Sequence, residues 1–193
     1  MARMTEMKRA RGGIMAWESE LEQFPDHVRA IGMISIENGN LELALADLMA
    51  TALMLPRSVA HAIYFTPRAA TLRIDIFKAA VIEYLKPSRR KDPDSILETQ
   101  KRQALARVKR LAKSSLGATQ RRHDVIHDAW SAFGESGVAR QKIGQTLSQP
   151  LEPVSLKILQ MLIRDLRNLT EEAHGLTAEF KANPPTMVDL RLS

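Results

Sequence analysis

From Leu159 to Phe180 the apolar residues fall at alternating intervals of three and four: Leu159, Leu162, Leu166, Leu169, Ala173, Leu176 and Phe180. That spacing puts them on one face of a helix, which must bury its stripe against other helices. The pattern predicts a helix over about 153–181. A second long stripe, Ile34, Leu41, Leu45, Leu48, Ala52 and Leu55, follows Phe24-Pro25-Asp26 and ends at Pro56. Gly39 marks a place for a kink or break within it.

Between these two, residues 57–65 read as a short helix. Thr66-Pro67 reads as a cap followed by proline at the first helical position. The helix after it has a broad apolar surface, with Ala70, Ile74, Phe77 and Val81 beside Leu72, Ile76 and Ala80. Asp92-Pro93 opens a further helix to about 116, with Leu105, Val108, Ala112 and Leu116 turned inward. Gly117 is expected to separate it from a helix over roughly 119–133. Residues 134–152, with Gly134, Gly137, Gly144 and Pro150, are the least helical part and suit a short irregular or hairpin insertion. The expected fold class is therefore all-α, a helical bundle over 23–182. A basic N-terminal arm (1–22) precedes it and a proline-marked tail (183–193) follows.

At 193 residues with 45% apolar content, one domain with a real core is the default. The net charge of +6 favours anionic partners without identifying them. No cysteine is present, so disulfides and thiolate chemistry are excluded and a reducing compartment suits the chain. No apolar run reaches the roughly 18 residues of a membrane span, and no secretory hydrophobic region follows the basic start. A cytoplasmic location without membrane contact is the plain expectation.

The chemistry concentrates in Arg121-Arg122-His123-Asp124-Val125-Ile126-His127-Asp128-Ala129-Trp130. On a helix advancing about 100° per residue, Arg122 projects from the stripe formed by Val125, Ile126, Ala129, Trp130 and Phe133. His123 and His127 lie at the stripe's edge, and Asp124, Asp128 and Ser131 take the opposite side. A guanidinium on an apolar face is costly unless a carboxylate, a phosphate or a partner surface meets it. Glu37 or Glu42 could supply an internal ion pair; an anion site at a dimer interface is the other solution. Histidine transfers protons near neutral pH, and arginine grips a developing phosphate charge. Together they suit RNA cleavage without metal. Two facing copies would supply a symmetric pair of groups, so this chemistry favours a homodimer.

From Thr99 through His123 no acidic residue occurs, while Lys101, Arg102, Lys109, Arg110 and Lys113 lead into the segment. They read either as an ordinary solvated helix face or as a track for RNA phosphates. No aromatic residues are interleaved, so base stacking is not implied. His123 and His127 have a spacing that can bind a metal on one helix face, which leaves a metal-dependent hydrolase as a third reading. No acidic cluster completes such a site, so no metal or other cofactor is expected.

The segment resembles the signature of the HEPN superfamily (higher eukaryotes and prokaryotes nucleotide-binding). In that signature an arginine, a polar residue and a histidine recur, with four to six residues between arginine and histidine. Arg122 to His127 fits with four, and His123 occupies the polar position. Ile31-Gly32 leading to Leu41-Glu42 and the run to Leu55 resembles the family's first long helix, and the likeness extends over 27–182. What the resemblance implies is a metal-independent endoribonuclease, dimeric, with two motifs meeting across the interface. By position, Arg122 would bind the scissile phosphate and His127 would transfer protons, with His123, Asp124 and Arg121 in support. Many members act as toxins or in phage defence, so an antitoxin or regulatory protein is a further candidate partner beside RNA. Others only bind RNA or proteins, which keeps a non-catalytic module as the alternative. Members paired with nucleotidyltransferase antitoxins often carry tyrosine two positions after the histidine. Here that position is Ala129, so that partnership is not expected.

Overall fold

The computed structural model describes residues 23–86, 96–127, 129–133, 137–141 and 152–182. The arm, the tail and the Asp92-Pro93 cap lie outside them. Five helices and three short strands follow in the order α1 (Pro25–Ala52), α2 (Arg57–Phe65), α3 (Ala70–Leu85), α4 (Ile96–His127), β1 (Ala129–Phe133), β2 (Gly137–Gln141), β3 (Glu152–Val154) and α5 (Leu156–Ala182). The chain is thus predominantly helical, with a small antiparallel sheet in the order β1-β2-β3. None of its described helices is long and apolar enough to cross a membrane.

Helix α1 begins with proline in its first turn and Asp26 beside it, both favourable at a helix N-terminus. It runs unbroken through Gly39, where an added Cβ would meet nothing. Its C-terminus closes when Leu55 N–H donates to Ala50 O at 2.9 Å and Met54 N–H to Thr51 O at 3.3 Å. That closure needs a left-handed residue, which is Met54 at φ 54°. A side chain there costs on the order of 1 kcal/mol relative to glycine.

The long seam of the last helix is the buried face of α5, where Leu159, Leu162, Leu166, Ala173, Leu176 and Phe180 all lie inside. It packs most extensively on α1, while α3 packs on α4. Ile34, Leu41 and Leu45 of α1, Phe77 of α3 and Leu111 of α4 complete one core.

Asp47 clasps α2 to α1. Its carboxylate accepts from Arg57 Nε at 2.7 Å and Nη2 at 2.9 Å, and pairs with His61 Nε2 at 2.6 Å. Burial works to raise its pKa, but the hydrogen bonds and charges of Arg57 and His61 outweigh that and hold it below the ordinary 3.8. A carboxylate depressed in the folded state contributes stability above its unfolded pKa and loses it as pH falls through the folded one. Asp47→Asn should therefore lower Tm at pH 7, with the deficit shrinking below about pH 3.8. Thermal melts of both proteins from pH 7 to 3 check this; equal Tm at pH 7 would mean that the clasp stabilises nothing.

Four expectations are corrected. Thr66-Pro67 does not start α3. Thr66 closes α2 instead, its hydroxyl donating to Ala62 O at 2.6 Å, and α3 starts at Ala70 with no side-chain cap. Gly117 breaks nothing, because α4 is continuous from Ile96 to His127. Buried Ala104, Val108, Leu111, Ala112, Ser115, Ala118, Thr119 and Val125 keep one register across it, whereas a helical glycine costs only about 1 kcal/mol. Leu116, expected inside, is exposed.

The fourth correction matters most for the site. Residues 129–133 are not the end of the motif helix but strand β1, which pairs with β2 from Ala129↔Gln141 to Phe133↔Gly137. The hairpin thus starts before residue 134, and residues 134–136 and 142–151 lie outside the described residues. Trp130 Nε1 donates back to Val125 O at 2.7 Å, tying the strand to the last turn of α4.

Candidate functional site

Thr119, Arg122, His123 and His127 recur at helical spacing, so the last turns of α4 present them on one side. That side forms a wall of a cleft of about 460 Å³. Asn38 and Glu42 of α1 line it, as do the α2–α3 connection at Arg68 and Arg73 at the start of α3. The volume lies within the range of about 300–1,000 Å³ usual for small-molecule sites.

Arg122 is half-buried, and its Nε is buried with no hydrogen-bond partner among the described residues. Neither candidate ion-pair partner reaches it. Glu37 Oε1 accepts from Arg167 Nε at 2.7 Å, and Glu42 Oε2 accepts from Arg73 Nη1 at 2.9 Å. The internal ion pair is therefore absent among the described residues, and the buried Nε is left without an acceptor. His123 and His127 are exposed, with ring centroids 4.4 Å apart and planes tilted by 44°.

Arg73 holds the opposite wall. Its Nε donates to Pro67 O at 2.8 Å and its Nη2 to Arg68 O at 3.2 Å, and its guanidinium lies 5.4 Å over the Phe65 ring. These bonds fold the α2–α3 connection back and carry Arg68 to the rim. Glu42 Oε1 and the Tyr64 hydroxyl are buried without a hydrogen-bond partner among the described residues. Burial pushes the Tyr64 hydroxyl well above its ordinary range; the Glu42 carboxylate adds to the rise and Arg73 opposes it. Deeper still, Thr119 Oγ1 donates to Asn38 Oδ1 at 3.4 Å.

Of the residues singled out from sequence, Arg122, His123 and His127 meet in the cleft. Arg121 and Asp124 do not. Arg121 pairs with Asp165 at 3.0 Å, and both Arg121 and Asp124 line a separate hollow against α5 and the sheet. Asp124 also accepts from Gln120 at 3.3 Å. Among the described residues no group of three His, Asp or Glu side chains is placed to hold a metal.

The basic run divides. Lys101 is only 3% exposed, so it cannot belong to a solvent-facing track. Arg110 is exposed but sits 3.7 Å from Glu172. Arg102, Lys109 and Lys113 are exposed and without an ion pair among the described residues. On the helical wheel these three and Gln120 fall within about 20° of one line, and Gln120 lines the cleft. A cationic stripe therefore runs up α4 into the site.

Sequence reasoning missed Arg68 and Arg73. Arg73 carried the same signal as Arg122, a guanidinium inside the stripe of Ala70, Ile74 and Phe77. Arg68 had none, because only the bonds of Arg73 bring it to the cleft. No family model, curated protein or solved structure matches the chain.

Proposed function

We propose that the protein is a metal-independent endoribonuclease of HEPN type, acting in the cytoplasm as a toxin or phage-defence effector. The observation that carries this reading is the buried, unpartnered Nε of Arg122 in one cleft with His127 and His123. Arg122 binds a non-bridging oxygen of the scissile phosphate. A base takes the 2′-hydroxyl proton as that oxygen attacks phosphorus, and an acid protonates the departing 5′-oxygen. The products are a 2′,3′-cyclic phosphate and a free 5′-hydroxyl, and no water is consumed. His127 serves in proton transfer and His123 supports its geometry. Arg102, Lys109 and Lys113 guide the backbone inward, which makes the affinity salt-dependent.

The reading includes a homodimer. Leu43, Leu72 and Leu116 are exposed apolar residues, each adjacent to a cleft-lining residue or one turn from one. A second copy would cover them and bring a second Arg122–His127 pair opposite the first.

The test is a labelled mixed-sequence RNA incubated with the protein in EDTA. Cleavage with 2′,3′-cyclic phosphate ends is the expected result. Intact RNA at protein excess would overturn the nuclease reading. The exposed line of Arg102, Lys109 and Lys113, which needs no histidine, would then favour a non-catalytic RNA-binding module.

A further inference from the structure

Two residues that line the cleft each carry a buried polar atom without a protein partner among the described residues, and the two atoms are of opposite kind. Arg122 Nε is a donor and Glu42 Oε1 is an acceptor. They cannot simply be assigned to each other, because Glu42 is held elsewhere. Its second oxygen is fixed by Arg73 at 2.9 Å, and Arg73 is itself fixed by Pro67 O and Arg68 O. The lining of the cleft thus combines an unpartnered donor on α4 with an unpartnered acceptor on α1, whose carboxylate Arg73 holds through its other oxygen. Each such group left unpaired in a buried setting is costly, so a ligand that satisfies both is strongly selected. That ligand must be anionic at one place and a hydrogen-bond donor at another.

A nucleotide has this character, and its bases do not have it equally. Adenine, cytosine and guanine each carry an exocyclic amino group, to which a carboxylate is a natural acceptor. Uracil offers only a ring N–H set between two carbonyl oxygens, which a carboxylate repels. We infer that Glu42 is a specificity-determining residue of the cleft, accepting a hydrogen bond from the amino group of a base whose phosphate lies on Arg122. The inference deepens the nuclease reading, since it names which nucleotides the site prefers.

Binding tests it without requiring catalysis. The four nucleoside 3′-monophosphates are titrated into the full chain by calorimetry. The Kd of 3′-UMP should exceed that of the best amino-bearing nucleotide by about tenfold or more, the worth of one hydrogen bond to a charged group. Glu42→Gln keeps its one amide oxygen for Arg73 and so turns an NH2 donor toward the ligand; the preference for amino-bearing bases should be lost, with 3′-UMP binding at least as tightly as the others. Tyr64→Phe should leave the discrimination intact. Equal binding of all four by the wild type, or no binding of any, overturns the inference. Discrimination that survives Glu42→Gln but disappears in Tyr64→Phe overturns it too, and gives the role to the tyrosine. Because RNA cleavage in EDTA is read separately, base-selective binding without cleavage would sink only the nuclease reading. Cleavage with equal binding would sink only this one.

Discussion

His127→Ala is expected to lower metal-free RNA cleavage by about a thousandfold, within the 10²–10⁴ range of general acid–base catalysis. The fold should not change. His127 is the last residue of α4, is exposed, and among the described residues makes a ring contact with His123 but no hydrogen bond or ion pair. Exposed substitutions of this kind usually shift stability by no more than about 0.5 kcal/mol. The anchor of the helix end is a different residue, Trp130, through its bond to Val125 O. Loss of activity with an unchanged melt therefore assigns a chemical role rather than a structural one. His123→Ala, which removes the neighbouring ring but not the proposed proton carrier, should cost distinctly less. Both are measured as initial rates on labelled RNA in EDTA beside thermal melts. Full activity in His127→Ala would end the assignment of that residue.

Why that site was legible in part follows from what helical periodicity records. Thr119, Arg122, His123 and His127 share a face through local spacing alone, so the wheel brought the arginine and both histidines together. The same wheel carried the helix on through Ala129 and Trp130, where the chain in fact turns into a strand. A five-residue segment as short as Ala129–Phe133 reads equally as helix or strand, and the choice is made by its partner Gly137–Gln141. Gly117 misled for the opposite reason: its local penalty is small beside the burial on either side. Arg121 and Asp124 lie on another side of the same helix, where Arg121 meets Asp165 of α5. Lys101 went inside although its charge predicted a wet face. Such outcomes depend on which element packs where, as does the arrival of Arg68 and Glu42 from two other parts of the chain.

Arg122→Met should abolish cleavage by at least a thousandfold and, unlike most substitutions in a half-buried site, raise the melting temperature. Methionine keeps much of the aliphatic length of arginine and so keeps the packing of its stem. What it removes is a buried Nε without an acceptor, a burden of about 1–3 kcal/mol. For a chain of this size each 1 kcal/mol gained corresponds to roughly 2–4 °C in Tm. No salt bridge among the described residues is broken in exchange, since Glu37 pairs with Arg167 and Glu42 with Arg73. Affinity for an RNA made uncleavable by a 2′-deoxy sugar at the scissile position should fall in the same variant. A structural cation would behave in the opposite way: its removal would strand a carboxylate and depress Tm by several degrees. A Tm that falls on Arg122→Met would therefore remove the observation on which the proposed site rests. A rise coupled to lost activity would show that the chain sacrifices stability at this position to keep an anion-binding group in its cleft.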